Sequence, residues 1–281
     1  MVDVRRADLH THTYHSDGHL SPRELVVTAA QHGLAAIAIT DHDTIDGLAE
    51  GERAGMECGV EVIPGVELSV TVREESVHLL GYFFDPAHAE LREHFGRFIE
   101  HRRERVHRIV ERLSALGIAL SFEAVQARAK GRALGRPHVA EAMVDAGHVA
   151  TERDAFEQYL ADGKPASVSS VPFAAEEALA LLHEAGGIGV LAHPGHWTAD
   201  RTVMTLIRCG LDGIETIHPG HDAMLTGYYQ QLARDMGLLE TGGSDFHRPG
   251  SESAMGRTTI PYAWLARARS VAETSRARMV S

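Results

Sequence analysis

Seven short apolar runs, at residues 7–10, 35–40, 61–66, 77–84, 189–192, 213–217 and 238–241, alternate with stretches of helical periodicity. This alternation constrains the fold most: strands buried on both faces and separated by helices build a mainly parallel sheet or barrel with helices outside. The helices are expected at 22–32, 44–58, 174–185, 200–209 and 224–236. The first carries a full start signal, because Ser21 precedes Pro22 and stands three residues before Glu24, a capping box with proline at the first helical position. One junction departs from the pattern. Only residues 73–76 break the chain before the fourth run, too few for a parallel crossover. Those strands are expected to meet as an antiparallel hairpin, which excludes a regular eightfold barrel.

Between residues 85 and 164 the strand signal vanishes. Leu91, Phe95, Phe98, Ile99, Val106, Ile109, Val110, Leu113 and Leu116 line one face of a long amphipathic helix ending at Gly117. Further helices are expected at 136–146 and 153–160, and alternation resumes after Pro172. The chain therefore divides into an α/β barrel from 1–85 and 165–281, and a helical insertion at 86–164. A surface helix with a loose end is expected after Trp264.

Composition narrows the functional classes. With 44% hydrophobic and 23% charged residues, the 281-residue chain is neither disordered nor fibrous, and no apolar run reaches the ~18 residues of a membrane span. The opening MVDVRRADLH carries no signal-peptide core, and Cys58 and Cys209 lack metal-site spacing, so a reducing cytoplasm is the expected location. A net charge of −12 argues against broad coating of nucleic acid. From Arg92 to Arg136, however, eleven Lys/Arg face five Glu, a local +6. That excess either draws in an anionic substrate or decorates a solvated helix, as the i, i+4 pairs Glu93/Arg97 and Glu104/Arg108 would. The 19 histidines outnumber all Phe, Tyr and Trp together.

Those histidines fall where strands end. His10 and His12, two apart, point to one side of extended backbone. Asp17 follows in the next loop, Asp41-His42-Asp43 ends the second run, Glu67 ends the third and His78 stands in the fourth. Ala192-His193-Pro194-Gly195 closes the fifth, and Gly243-Ser244-Asp245-Phe246-His247 closes the last. Carboxyl ends of strands form the active-site face of β/α folds. A lone His78 would be an ordinary buried histidine. Six imidazoles recurring at strand ends beside three carboxylates would each carry a desolvation cost unless they share a purpose, and a multinuclear metal site supplies one. His10, His12, Asp17, His42, Glu67, His78, His193, Asp245 and His247 exceed one tetrahedral ion and suffice for two or three. Their mixed nitrogen and oxygen donors favour manganese, iron or zinc.

In order, the segments HTHTYHSDG, ITDHDT, PGVELS, VHLLGYF, LAHPG and GSDFH resemble the polymerase-and-histidinol-phosphatase (PHP) family across essentially the whole chain. GRPHVAEAM and YLADGKPA resemble the helical insert of a subgroup that includes a 3′,5′-nucleoside bisphosphate phosphatase and an RNA-trimming 5′-to-3′ exoribonuclease. The resemblance implies a distorted (β/α)7 barrel with an inserted, mainly helical domain. It implies one ion on His10, His12, Glu67 and Asp245, a second on Glu67, His78 and His193, and a third on Asp17, His42 and His247. A hydroxide bridging two ions beside Glu67, Asp245 and His193 would attack phosphorus, while Arg136, His138 and Lys164 from the insert would bind substrate phosphate. Ser167 stands where the subgroup usually has an aromatic residue.

The implied activity is hydrolysis of a nucleotide phosphate ester, either a 3′,5′-bisphosphate or the 5′ end of a short RNA, with manganese the leading metal and no membrane or obligate protein partner. Three alternatives stand beside it: a phosphatase for a small non-nucleotide such as histidinol phosphate, an amidohydrolase, which usually wants a bridging lysine or a second mid-chain histidine pair that this sequence does not offer, and a non-catalytic domain that metals merely stabilise. Asp43 is expected to support the ligands or to begin a helix cap with Thr44. His196, Arg201, His218, His221 and Arg248 are read as surface-loop residues that could touch substrate or protonate the leaving oxygen.

Overall fold

A computed structural model describes residues 4–250 and 253–279. The chain runs β1 (Arg6–Thr11), α1 (Pro22–Gln31), β2 (Ala36–Ile39), α2 (Leu48–Cys58), β3 (Glu61–Val72), β4 (Glu75–Tyr82), α3 (Ala89–Ala115), α4 (Phe122–Gln126), α5 (Arg136–Asp145) and α6 (Glu152–Ala155). It continues through α7 (Ala175–Glu184), β5 (Ile188–Leu191), α8 (Asp200–Arg208), β6 (Gly213–Ile217), α9 (Ala223–Met236), β7 (Leu239–Gly242), β8 (Ile260–Pro261) and α10 (Tyr262–Met279).

The strands form one sheet in the order β7-β6-β5-β4-β3-β2-β1-β8. It curls into a nearly closed eight-stranded barrel: past β1, the His12 amide donates to the Phe246 carbonyl beyond β7 at 2.9 Å. Gly243 permits this closure, because a Cβ there would stand 2.4 Å from the His10 amide nitrogen. β4 is antiparallel to both β3 and β5, as the hairpin requires, and the other contacts among β1–β7 are parallel.

Alternate residues on each strand serve different cores. Ala36 and Ala38 face the barrel interior with Ala7, Leu9, Leu80 and Val190, while Ile37 and Ile39 face the helices with Leu25 and Val26. Burial on both faces explains why these strands read as unbroken apolar runs. A third core is built wholly from residues between 106 and 168. The long α3 joins two cores, with Leu91, Phe95 and Phe98 in the barrel–helix core and Val106, Ile109 and Leu113 in the third.

Several expectations shift. The two-residue β8 is an eighth strand, too short to show a period. The tail helix does not lie loosely on the surface: Leu265, Ala268 and Ala272 of α10 close the floor of the barrel, and its extreme end lies outside the described residues. The helix expected from residue 44 starts at Leu48: Asp43 has φ 52° and its amide still pairs with the Glu67 carbonyl, and a turn at residues 45–48 leads into the helix. The 153–160 helix splits: α6 stops at Ala155, and Phe156–Leu160 widens into a π-helical turn.

At the end of α7, His183 Nε2 meets the Asp212 carboxylate at 2.7 Å, and the same carboxylate accepts the Gly189 amide. The Asp212 bond raises His183 above its ordinary 6.5, against its partial burial. The pair's stabilisation is therefore complete below pH 6.5 and disappears as pH rises through the raised value. For a pair this exposed, the effect is below about 1 kcal/mol. Urea titrations of wild type and His183→Gln at pH 5.5 and pH 9 should differ at the lower pH and converge at the higher.

Candidate metal centre

Glu67 is the hub of the site. The Glu67 amide donates to the Asp41 carbonyl and the Glu67 carbonyl accepts the Asp43 amide, which aligns β3 with the end of β2 and sets His42 beside Glu67 in a parallel bridge. Oε2 of Glu67 stands 3.2 Å from His10 Nε2, 3.2 Å from His12 Nε2 and 3.4 Å from His42 Nδ1. Oε1 stands 2.7 Å from His78 Nδ1 and 2.9 Å from His193 Nε2. A second focus is Asp245 Oδ1, 3.2 Å from His12 Nε2 and 3.5 Å from His247 Nδ1. Asp17 completes a third, at 3.3 Å from His247 Nε2 and 3.8 Å from His42 Nε2.

All nine residues expected from the sequence thus converge. His78 reaches the rim for a reason the strand-end rule misses: β4 is reversed, so its amino half lies with the carboxyl ends of the others, paired with Ser69 of β3. The turns at this rim are forced, since His193 and Asp245 adopt φ 26° and 52°. Such strain is held only where the surroundings over-determine it, as at functional sites.

The donors fit divalent cations. His10, His12, Glu67 and Asp245 form one group, His42, Glu67 and His78 a second, and His12, Asp17, His42 and His247 a third, with the donor atoms of each group within 4.8 Å of one another. Donors about 2.1 Å from a tetrahedral ion stand about 3.4 Å apart, which these separations approach. Several donor atoms are left without a hydrogen-bond partner: both nitrogens of buried His12, Nδ1 of His42 and His78, and Oδ1 of Asp17. Charge shows the same demand. Burial alone would depress His12, yet Asp245 and Glu67 push it up to about 10, while burial holds neighbouring His42 down to about 4. Glu67 is fully buried, which opposes ionisation, but His42, His78 and His10 keep it well below the usual carboxylate range.

Behind the donors stands Glu215, which the sequence reading missed. Its buried carboxylate lies 3.0 Å from His10 Nδ1 and accepts the His193 amide at 2.7 Å. It thereby fixes the His10 tautomer, leaving Nε2 to face Glu67. The signal was an acid inside the apolar strand GIETI. Asp41 likewise accepts the Thr13 amide and the Thr13 and Ser16 hydroxyls, and Asp8 accepts the Ser244 amide and hydroxyl. Glu215→Gln should weaken metal binding about 10- to 100-fold with the fold intact, the usual cost of losing such a partner, as read by metal titration.

The other loop residues divide. His218 is inside the site rather than on the surface: its side chain is 12% exposed, and Nε2 lies 3.5 Å from Asp245 Oδ2. His221 is tied to the Thr216 carbonyl and the Gly195 amide, and His196 is exposed. Arg201 is paired with Glu75 and Arg248 with Glu152. Asp43 caps no helix; its carboxylate takes the Ser69 amide and hydroxyl and the Arg102 guanidinium.

A cavity of about 550 Å³ holds Asp17, His42 and His78 together with Arg102, Arg105 and Arg136. Arg136 bonds Asp162 at 2.8 Å and the Leu160 carbonyl at 3.3 Å. His138 is buried on the other side of Asp17, with Nδ1 accepting the Gly135 amide, and lines a smaller cavity with His19 and Lys130. Lys164 is exposed and stands outside both cavities. A larger cavity, about 730 Å³, lies at the opposite end of the barrel against α10.

Comparison with known proteins places this geometry. A profile for the PHP domain matches residues 8–144. The chain is 36% identical over 249 residues, covering 86% of this chain and 87% of the relative, to a 3′,5′-nucleoside bisphosphate phosphatase of Chromobacterium violaceum. It is 34% identical over 259 residues, covering 89% and 88%, to the 5′-3′ exoribonuclease Rnm of Escherichia coli. Among solved structures it is similar to an amidohydrolase of Chromobacterium violaceum with bound sulfate and no metal, with TM-score 0.83, 35% identity and 90% of each chain covered.

Proposed function

This chain belongs to the PHP-domain family of metal-dependent phosphoesterases, and on that premise we propose that its substrate is a nucleotide phosphate ester, a 3′,5′-nucleoside bisphosphate or the 5′ end of a short RNA. The observation that carries the reading is the continuity between the two halves of the site. Eight of the nine candidate donors fall into three close groups, the ninth, His193, stands 2.9 Å from Glu67, and the cavity beside them is lined by Arg102, Arg105 and Arg136. A phosphate ester needs both.

We assign one ion to His10, His12, Glu67 and Asp245, a second to Glu67, His78 and His193, and a third to Asp17, His42 and His247, with manganese the leading metal. Divalent ions there supply Lewis acidity, lowering the pKa of a water and neutralising phosphoryl oxygens. The protein does the rest. Glu215 holds His10 in the tautomer that presents Nε2 to the site. Arg136 offers a planar fork to a phosphate, already steadied by Asp162. His138, kept neutral by burial, packs beside Asp17. His218 is placed to pass a proton to the leaving oxygen. Residues 86–164 act as a lid that brings these cations over the barrel rim. Among the described residues no helix is long and apolar enough to cross a membrane, and we place the protein in the cytoplasm, working without an obligate partner.

The test is incubation of the manganese-loaded protein with adenosine 3′,5′-bisphosphate, a 5′-phosphorylated oligoribonucleotide and histidinol phosphate. Release of phosphate or mononucleotide from one of the first two is expected. Turnover of histidinol phosphate alone would move the substrate out of the nucleotide class, and release from none would sink the proposal.

A further inference from the structure

Trp197, in the loop after β5, leaves 72% of its surface to solvent. Tryptophan is highly buried on average, so an indole this exposed calls for a reason. It is nonetheless held in place. Three atoms of its six-membered ring lie 2.4–2.5 Å from where a Cβ of Gly195 would stand, which puts the ring face-on over Gly195. Gly195 has φ 48° and no side chain to push the ring away. It is itself pinned: its carbonyl accepts the Tyr229 hydroxyl at 2.9 Å, and its amide donates to His221 Nε2 at 3.4 Å. One face of the indole is therefore fixed on the loop, and the other faces solvent.

This platform is joined to the metal centre. Trp197 follows His193 by four residues. Rings then lead outward, with centroids 5.3 Å apart from His193 to His218, 5.4 Å from His218 to His221, 5.7 Å from His221 to Tyr229 and 5.1 Å from Tyr229 to exposed Tyr228. The arginine-lined cavity of about 550 Å³ opens instead beside His42 and His78 and does not include Trp197. The centre thus has two flanks, a cavity with room for one nucleotide and an aromatic shelf. Two carboxylates near the shelf are already engaged. Asp200 accepts the Tyr228 hydroxyl at 2.9 Å, and Asp222 caps α9 at the Leu225 amide, with His196 3.9 Å away. What the shelf offers a ligand is π surface rather than charge.

We infer that Trp197 is a stacking platform for the nucleobase of the nucleotide adjoining the one in the cavity, so that the site prefers a phosphodiester of short single-stranded RNA to the terminal phosphate of a mononucleotide. The inference rests on the nucleotide phosphoesterase reading and chooses between its two substrates. Every base has a π face, so such a platform is indifferent to sequence. The competing account is a contact surface for a second protein chain, since exposed apolar side chains also mark those.

Binding separates the accounts. The probes are 5′-phosphorylated diadenosine, the same molecule with its second base removed, and adenosine 3′,5′-bisphosphate, each with methylene phosphonates in place of its phosphates so that none is hydrolysed. Calorimetry on the full-length, manganese-loaded protein should show Trp197→Ala weakening the dinucleotide by about 5- to 100-fold and changing the other two probes by less than about twofold. Trp197→Phe should recover part of the loss. The chain has two tryptophans, so Trp264→Phe leaves Trp197 as the single fluorophore, which the dinucleotide should quench and the abasic probe should not. An equal loss for the bisphosphate would put the first base on the indole, and no loss for any probe would leave the indole unused; either result overturns the inference. A changed sedimentation coefficient of Trp197→Ala with unchanged affinities would make the shelf a protein contact and overturn it likewise. Should Trp264→Phe fail to fold, calorimetry on the wild type and the Trp197 variants decides alone. Because no turnover is needed, failure to hydrolyse authentic RNA would remove the functional reading while the stacking result stands or falls by itself.

Discussion

Glu67→Gln is expected to lower turnover by at least about 10³-fold and to remove at least one bound ion per chain, while the barrel stays folded. In the proposed assignment Glu67 is shared between two ions, which would supply several kcal/mol of transition-state stabilisation, and each 1.36 kcal/mol is tenfold in rate. Among the described residues no other side chain touches as much of the centre: both Glu67 oxygens together face His10, His12, His42, His78 and His193. The amide keeps the shape and loses the charge, so five imidazoles face a neutral group where they faced an anion. The backbone of Glu67 stays in its ladder with Leu80, which is why secondary structure should survive. Elemental analysis, steady-state rates and circular dichroism on the same sample check all three statements. A variant retaining full metal content and wild-type turnover would remove Glu67 from the centre.

Arg102→Met should destabilise the fold by about 3–5 kcal/mol, the usual consequence of leaving a buried charge without its partner. Asp43 is 1% exposed and Arg102 15%, so water can replace little of what the guanidinium supplies. Burial opposes ionisation of Asp43, yet Arg102, the Ser69 amide and His42 keep it below the usual carboxylate value. Adding Asp43→Asn to the variant should restore part of the loss, because asparagine carries no charge and tolerates the φ of 52° better than most residues. Exposed Arg97 with Glu93 is the internal control: replacing Arg97 should cost only a few tenths of a kcal/mol. Urea denaturation measures all of these. A loss below 1 kcal/mol for Arg102→Met would mean that the strap between α3 and the barrel rim carries no tension.

The sequence made most donors legible because they stand where apolar runs end or in the loop just after, although β3 runs past Glu67 to Val72. It did not make their supports legible. Glu215 and Asp8 are single acids inside apolar strands, and nothing local distinguishes a carboxylate that orients an imidazole from an ordinary polar alternation. Arg102 and Arg105 sit in a helix rich in i, i+4 charge pairs, where every cation looks solvated until α3 is docked. His78 was placed correctly, though the reason, a reversed strand that turns its amino half to the rim, follows only from sheet order. Similarly, two-residue β8 offers no period to read, and α10 looks like a surface helix until Leu265, Ala268 and Ala272 are seen under the barrel.

Metal stoichiometry coupled to activity tests the central claim most directly. Protein stripped with chelator and reloaded with increasing manganese should hold two or three ions per chain, show no turnover of the preferred phosphate ester when stripped, and regain it only as the second ion binds. Full turnover with less than one ion per chain would contradict the account.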